Sequence, residues 1–163
     1  MVASMRLPLK VNAHIHTPYS FSAFGSIAEA LDMAAAADVR VVGINDFNTT
    51  DGFGEWSAGC AERGLFPLFG IECISLSGED QHNGVRVNDP NKPGRIYLSG
   101  KGLKCPPRLP EPFSSKLADV ARGSNTPARA MCARLNGLLS EQHAGFSIDP
   151  ARVLREPTKG NIR

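Results

Sequence analysis

Asn12-Ala13-His14-Ile15-His16-Thr17-Pro18-Tyr19-Ser20 sets two imidazoles two residues apart at the end of an apolar run. In an extended segment, residues i and i+2 point to the same face. His14 and His16 then aim two neutral nitrogen donors at one spot, the arrangement with which many divalent-metal sites begin. With four histidines in the chain the pair alone says little, and its bland reading is a solvated strand end. The same placement recurs, however. Val41-Val42-Gly43-Ile44-Asn45-Asp46 and Pro67-Leu68-Phe69-Gly70-Ile71-Glu72 are two further apolar runs, each closed by a carboxylate. Three successive strand ends therefore carry groups able to bind a cation. His14, His16 and Glu72 are the candidate metal ligands. Asp46 is the candidate catalytic residue, either orienting a ligand histidine or a water or capping the turn that follows it. Asn45, Asn48, Thr49 and Thr50 read as turn and capping residues.

Positioning these groups requires alternating strands and helices. Lys10 to His16 reads as a strand. Ser26-Ile27-Ala28-Glu29 is a capping box that opens a helix with Ile27, Leu31, Ala34 and Ala35 as its apolar stripe. Arg40 to Asn45 is a nearly continuous β-branched run suited to a strand covered on both faces. A second helix is expected from Asp51-Gly52 to about Arg63, ended by Gly64, and a third strand from Leu65 to Leu76. This βαβαβ order predicts a parallel sheet with right-handed crossovers, whose ligands gather at the carboxyl ends of the strands.

The stretch 77–112 breaks the rhythm with six of the twelve prolines, and only Arg95 to Ser99 reads as a strand within it. A long irregular stretch of this kind is a functional cover or an insertion. His82 lies in it as a solvated loop histidine, and Lys101, Lys104, Arg86 and Arg95 keep it soluble or draw a phosphate to the site mouth. Beyond Phe113 the chain is helical. Thr126-Pro127 reads as a cap with proline at the first helical position, followed by a buried stripe of Met131, Leu135, Leu138 and Leu139. Asp149-Pro150 starts another short helix.

The length of 163 residues suits one domain. A net charge of +2 with scattered basic residues gives no indication of nucleic-acid binding, and no run approaches the ~18 apolar residues of a membrane span. Cys60, Cys73, Cys105 and Cys132 have no metal or disulfide spacing, so a reduced, cytoplasmic protein is expected.

Taken in order, His14-Ile15-His16-Thr17-Pro18-Tyr19-Ser20, Gly43-Ile44-Asn45-Asp46 with Asn48-Thr49-Thr50-Asp51-Gly52, and Gly70-Ile71-Glu72 resemble the PHP (polymerase and histidinol phosphatase) superfamily of metal-dependent phosphoesterases. The match covers roughly residues 10–75. The resemblance implies an α/β fold, the N-terminal portion of a distorted (β/α)7 barrel. The chain would be a single partial domain: a motif-bearing core over 10–76, a Gly/Pro-rich insertion over 77–112 and a helical segment over 113–163. It further implies up to three metal ions at the strand ends, with His14, His16 and Glu72 on the inner one. Family members carry later ligands that nothing after residue 103 matches, so the chain is expected to be a fragment of a longer protein. Two family ligand positions for an outer metal fall at Phe21 and Phe47, which have no lone pair to offer. A further family histidine falls at Arg95 or Tyr97.

The expected function is a metal-dependent hydrolase of a small-molecule phosphate ester. It would use a divalent ion (zinc, manganese or iron) and a reduced metal complement. The alternative is a non-catalytic scaffold or binding module with the same fold. Two structural expectations follow. Phe21 and Phe47 should lie together, shielded from water, in the space of the outer metal. The sheet should have an open edge and the site an exposed side.

Overall fold

The computed structural model describes residues 8–155. Its strands are β1 (Lys10–Ile15), β2 (Val39–Phe47), β3 (Phe66–Leu76) and β4 (Arg95–Lys101). Its helices are α1 (Ile27–Ala36), α2 (Phe53–Glu62), α3 (Gly78–His82), α4 (Phe113–Glu141) and α5 (Pro150–Arg155). The strands form one sheet in the order β1-β2-β3-β4. β1, β2 and β3 run parallel, and β4 returns antiparallel along β3. The βαβαβ core is as the sequence predicts. α1 starts at Ser26, whose hydroxyl accepts from the Glu29 N–H, and Gly64 after α2 takes a φ of +62°.

Side-chain alternation sorts the sheet into two faces. Val42 and Ile44 of β2, with Ile15 and Leu65, face α1 and α2 and pack against Ile27, Leu31, Phe53, Trp56 and Cys60, all fully or nearly fully buried. Phe69 of β3 joins the same side through its contact with Phe53. Burial pushes the Cys60 thiol up to about 11, so it stays protonated at neutral pH and packs as a small apolar group. The opposite face carries Gly43, Asn45 and Phe47 of β2 and Gly70, Glu72 and Ile74 of β3. Lys101, Ser99 and Tyr97 of β4 pair with Gly70, Glu72 and Ile74 in turn. This inner face holds the polar groups.

The second half of the chain departs from its sequence reading. Residues 77–112 contain a short helix, α3, besides β4, and β4 runs two residues past Ser99, bringing Lys101 into the sheet. α4 is one continuous helix with Pro127 inside it, not a helix beginning there. Met131, Leu135 and Leu138 are exposed, and Cys132 is the buried residue of that region. The part of α4 that carries the stripe runs beside α5, and its Asn136 side chain exchanges a pair of hydrogen bonds with the Ile148 backbone just before α5. The first turns of α4, through Phe113, Leu117 and Val120, border Ile71, Cys73 and Ile74 of β3 around an apolar hollow. No helix among the described residues is long and apolar enough to cross a membrane.

Candidate metal centre

His14 and His16 reach one spot because β1 does not pair evenly with β2. Asn12 lies opposite Val42 and Ile15 opposite Ile44, so the Ala13-His14 pair bulges over Gly43. The Asn12 side chain accepts the His14 N–H and holds the bulge in shape. Room for it comes from Gly43. A Cβ there would lie 2.7 Å from the Ala13 oxygen and 2.8 Å from its carbonyl carbon and Cα. Gly43→Ala is therefore expected to force β1 away from β2, costing about 1–3 kcal/mol and separating the histidines from Glu72. Gly123→Ala, in open space on α4, is the matched control. Urea unfolding of both variants checks this, and equal midpoints would show that the bulge is not packed against Gly43.

Three donor atoms meet at the inner face. His14 Nε2 lies 3.2 Å from His16 Nε2 and 3.3 Å from Glu72 Oε2, and His16 Nε2 lies 3.1 Å from Glu72 Oε2. Their side chains are 45%, 21% and 10% exposed in the order His14, His16, Glu72, so the cluster opens to one side. The expected convergence and the open side are both found. β1 is an edge strand with mostly exposed residues, which gives the sheet its open edge among the described residues.

The spacing suits a metal ion. Bonds of about 2.0–2.1 Å from a tetrahedral zinc place ligand atoms roughly 3.3 Å apart, close to the observed triangle. Electron-pair donors that converge this tightly need a proton or a cation among them. Two imidazoles and one carboxylate form a borderline donor set compatible with zinc, manganese or iron.

Around this triangle stand residues whose sequence reading changes. Asn45 is not a turn residue: it is fully buried within β2, and its Nδ2 lies 3.2 Å from His14 Nε2. Lys101 crosses from β4 over Gly70, where a Cβ would come within 3.1 Å of Lys101 Cδ. Its ammonium donates to Asn45 Oδ1 at 2.6 Å and to the Ala13 carbonyl at 2.8 Å. An ammonium can only donate, so the oxygen of the Asn45 amide must face Lys101 and its N–H₂ must face His14 and Ser99. Ser99 Oγ completes the set, 2.9 Å from Asn45 Nδ2 and 3.1 Å from Oδ1. Burial lowers the Lys101 pKa from the usual lysine value, and the Glu72 charge opposes that shift. Strand parity was the signal for Asn45: with Val42 and Ile44 facing the helices, position 45 must face inward. In the sequence Lys101 is one of four cations, with Lys104, Arg86 and Arg95, able to draw a phosphate to the site mouth, and nothing local sets it apart from the other three.

The same parity turns Asp46 the other way. It is 1% exposed and accepts from the Thr17 N–H at 2.7 Å, the Thr17 hydroxyl at 2.5 Å and the Ser20 hydroxyl at 2.6 Å. It ties the loop after His16 to β2 and lies outside the His14–His16–Glu72 group.

The two phenylalanines do not form a shared plug. Phe47 stacks on His16 with centroids 4.5 Å apart and touches Tyr97, as a filler of that space would. Phe21 is 63% exposed, at the rim of a hollow of about 210 Å³ that it lines with His14, His16 and Phe24. Its neighbour Ser20 is held inward by Asp46, which leaves Phe21 facing out. His82 is exposed on α3 and is not part of the cluster.

No protein-family model matches the sequence, and no curated protein does. The structure is similar to an amidohydrolase from Chromobacterium violaceum solved with bound sulfate and no metal. The TM-score is 0.63 at 23% identity, over 93% of this chain and 46% of that one. It is also similar to a protein from Bifidobacterium adolescentis assigned as a metal-dependent phosphoesterase. There the TM-score is 0.58 at 21% identity, over 94% of this chain and 46% of that one. The chain thus spans less than half the length of the solved structures it matches. The likeness is one of fold: four strands and their helices make a partial α/β barrel like the corresponding part of these two proteins.

Proposed function

We propose that this chain supplies the inner-metal half of a phosphoesterase-type hydrolytic centre. His14, His16 and Glu72 are its ligands for a divalent ion, and a small phosphate ester is its substrate. The observation that carries the reading is the triangle of donor atoms at 3.1–3.3 Å. The sulfate in the Chromobacterium structure supports it, because a protein of this fold there holds a tetrahedral oxyanion. The absence of ligand atoms at Phe21 and Phe47 supports a reduced metal complement.

When bound, a divalent ion lowers the pKa of its water towards roughly 7 and polarises a phosphoryl oxygen. The chain's own residues set the geometry. The Asn45 amide donates towards His14 Nε2 in the metal-free chain, and once that nitrogen's one lone pair is given to an ion the amide N–H₂ would be left to Ser99. The Phe47 ring covers one face of His16 and keeps water from it. Asp46 acts as a positioning residue: by gripping Thr17 and Ser20 it fixes the backbone that follows His16. Phe47 also favours a second reading, a metal-binding module without turnover, since an apolar ring occupies space beside the ligands.

Titration calorimetry with zinc and manganese tests the site. The native chain should bind one ion, and His16→Ala should weaken binding at least about a hundredfold, since loss of mere outer contacts already costs 10–100-fold. Equal binding by native and variant chains would overturn the assignment. Turnover of an aryl phosphate by the loaded chain, lost in His16→Ala, would rule out the non-catalytic module.

A further inference from the structure

The inner face holds a cation that the metal cluster does not use. Lys101 lies in the row of β4 residues that face Glu72, and its stem is guided across the sheet by the missing side chain at Gly70. Two hydrogen bonds fix the ammonium, one to the Asn45 amide and one to the Ala13 carbonyl on the far strand. An ammonium has three N–H groups, so one is left over among the described residues, and Lys101 is open to solvent. The same Asn45 amide that receives Lys101 reaches His14 Nε2 with its other end. The ammonium and the metal cluster therefore stand one amide group apart on one open face. Beside Lys101, Ser99 is an exposed residue paired across the strands with Glu72, and its hydroxyl rests on the Asn45 amide.

We infer that Lys101, assisted by Ser99, forms a seat for a tetrahedral oxyanion beside the His14–His16–Glu72 cluster. The inference rests on the metal-site reading above and names the group that would take the phosphoryl oxygens not bound to metal. A divalent ion held by a single carboxylate keeps a net positive charge, and a fixed ammonium next to it adds a second, which matches a dianionic phosphate better than a neutral ester or amide. The alternative role for Lys101 is that of a latch joining β4 to β1 across the sheet. A latch would act on the fold and on His14, not on an anion.

Inorganic phosphate is the probe, titrated into the zinc-loaded and the metal-free chain by calorimetry. The native zinc-loaded chain should bind phosphate, Lys101→Met should lose at least tenfold in phosphate affinity, and Lys101→Arg should recover most of it. Zinc affinity should be unchanged in both variants. In ¹⁵N-lysine-labelled native protein, the Lys101 Nζ resonance should move on phosphate addition, a readout that does not depend on either variant folding. Phosphate affinity unaltered in Lys101→Met, or lost together with zinc affinity, would overturn the seat, the second outcome identifying a latch. An Nζ resonance that ignores phosphate would overturn it as well. Failure of the native chain to take up zinc sinks the metal-site reading instead. Lys101-dependent phosphate binding to the metal-free chain would still establish the seat, and no phosphate binding in either form would remove it.

Discussion

Trp56→Ala is expected to remove a large part of the stability of this chain. Trp56 is fully buried on α2, and with Phe53, Leu31 and Ile44 it forms the largest side-chain mass between the helices and the sheet. Truncating a buried aromatic to alanine costs about 3–5 kcal/mol through lost transfer energy and the cavity left behind. A domain of this size has roughly 5–15 kcal/mol in all. With a urea slope of about 1–3 kcal/mol/M, the midpoint should fall by about 2 M. Trp56→Phe should cost much less. It keeps an aromatic ring in place and removes an indole N–H that is buried without a hydrogen-bond partner among the described residues. Near-equal midpoints for the native and alanine forms would show that the helices are not fastened to the sheet through this residue.

Asp46→Ala should be nearly as damaging and should also reach the metal cluster it does not belong to. The substitution leaves the Thr17 N–H and the Thr17 and Ser20 hydroxyls without their carboxylate acceptor, in residues no more than 1% exposed. Each buried donor stranded in this way costs about 1–3 kcal/mol, so a loss of about 3 kcal/mol or more is expected. The loop after His16 is released with them, and zinc affinity should fall by more than tenfold. Asp46→Asn keeps an oxygen for the Thr17 N–H and Ser20, and its amide N–H can donate to the Thr17 hydroxyl. Only the charge is lost, which makes such bonds roughly half as strong. Zinc affinity in Asp46→Asn should stay within about tenfold of native. A loss as large as that of His16→Ala would instead make Asp46 a ligand.

The sequence by itself determined the α/β core and the convergence of His14, His16 and Glu72, because both rest on local rules. Apolar runs of strand length, the Ser26 cap and Gly64 set the βαβαβ order, and parallel strands of a sheet bring their carboxyl ends together without further instruction. His14 and His16 lie at the end of β1 and Glu72 where the parallel pairing of β2 with β3 ends, so their meeting followed from position along the strands. Tertiary structure decided the rest. Whether Asp46 faces the cluster or the helices depends on which parity of β2 is covered, and burial of Val42 and Ile44 under α1 and α2 settles that. Phe21 was read by family position, but the grip of Asp46 on Ser20 turns it outward. The stripe on α4 had the right period yet no partner surface among the described residues, since amphipathicity names a face without naming what covers it. Lys101 is the clearest case. It belongs to the site only because β4 pairs antiparallel with β3 at one register and two glycines leave space above the sheet. A contact between residues 88 positions apart in sequence, made through that register, has no local signal to read.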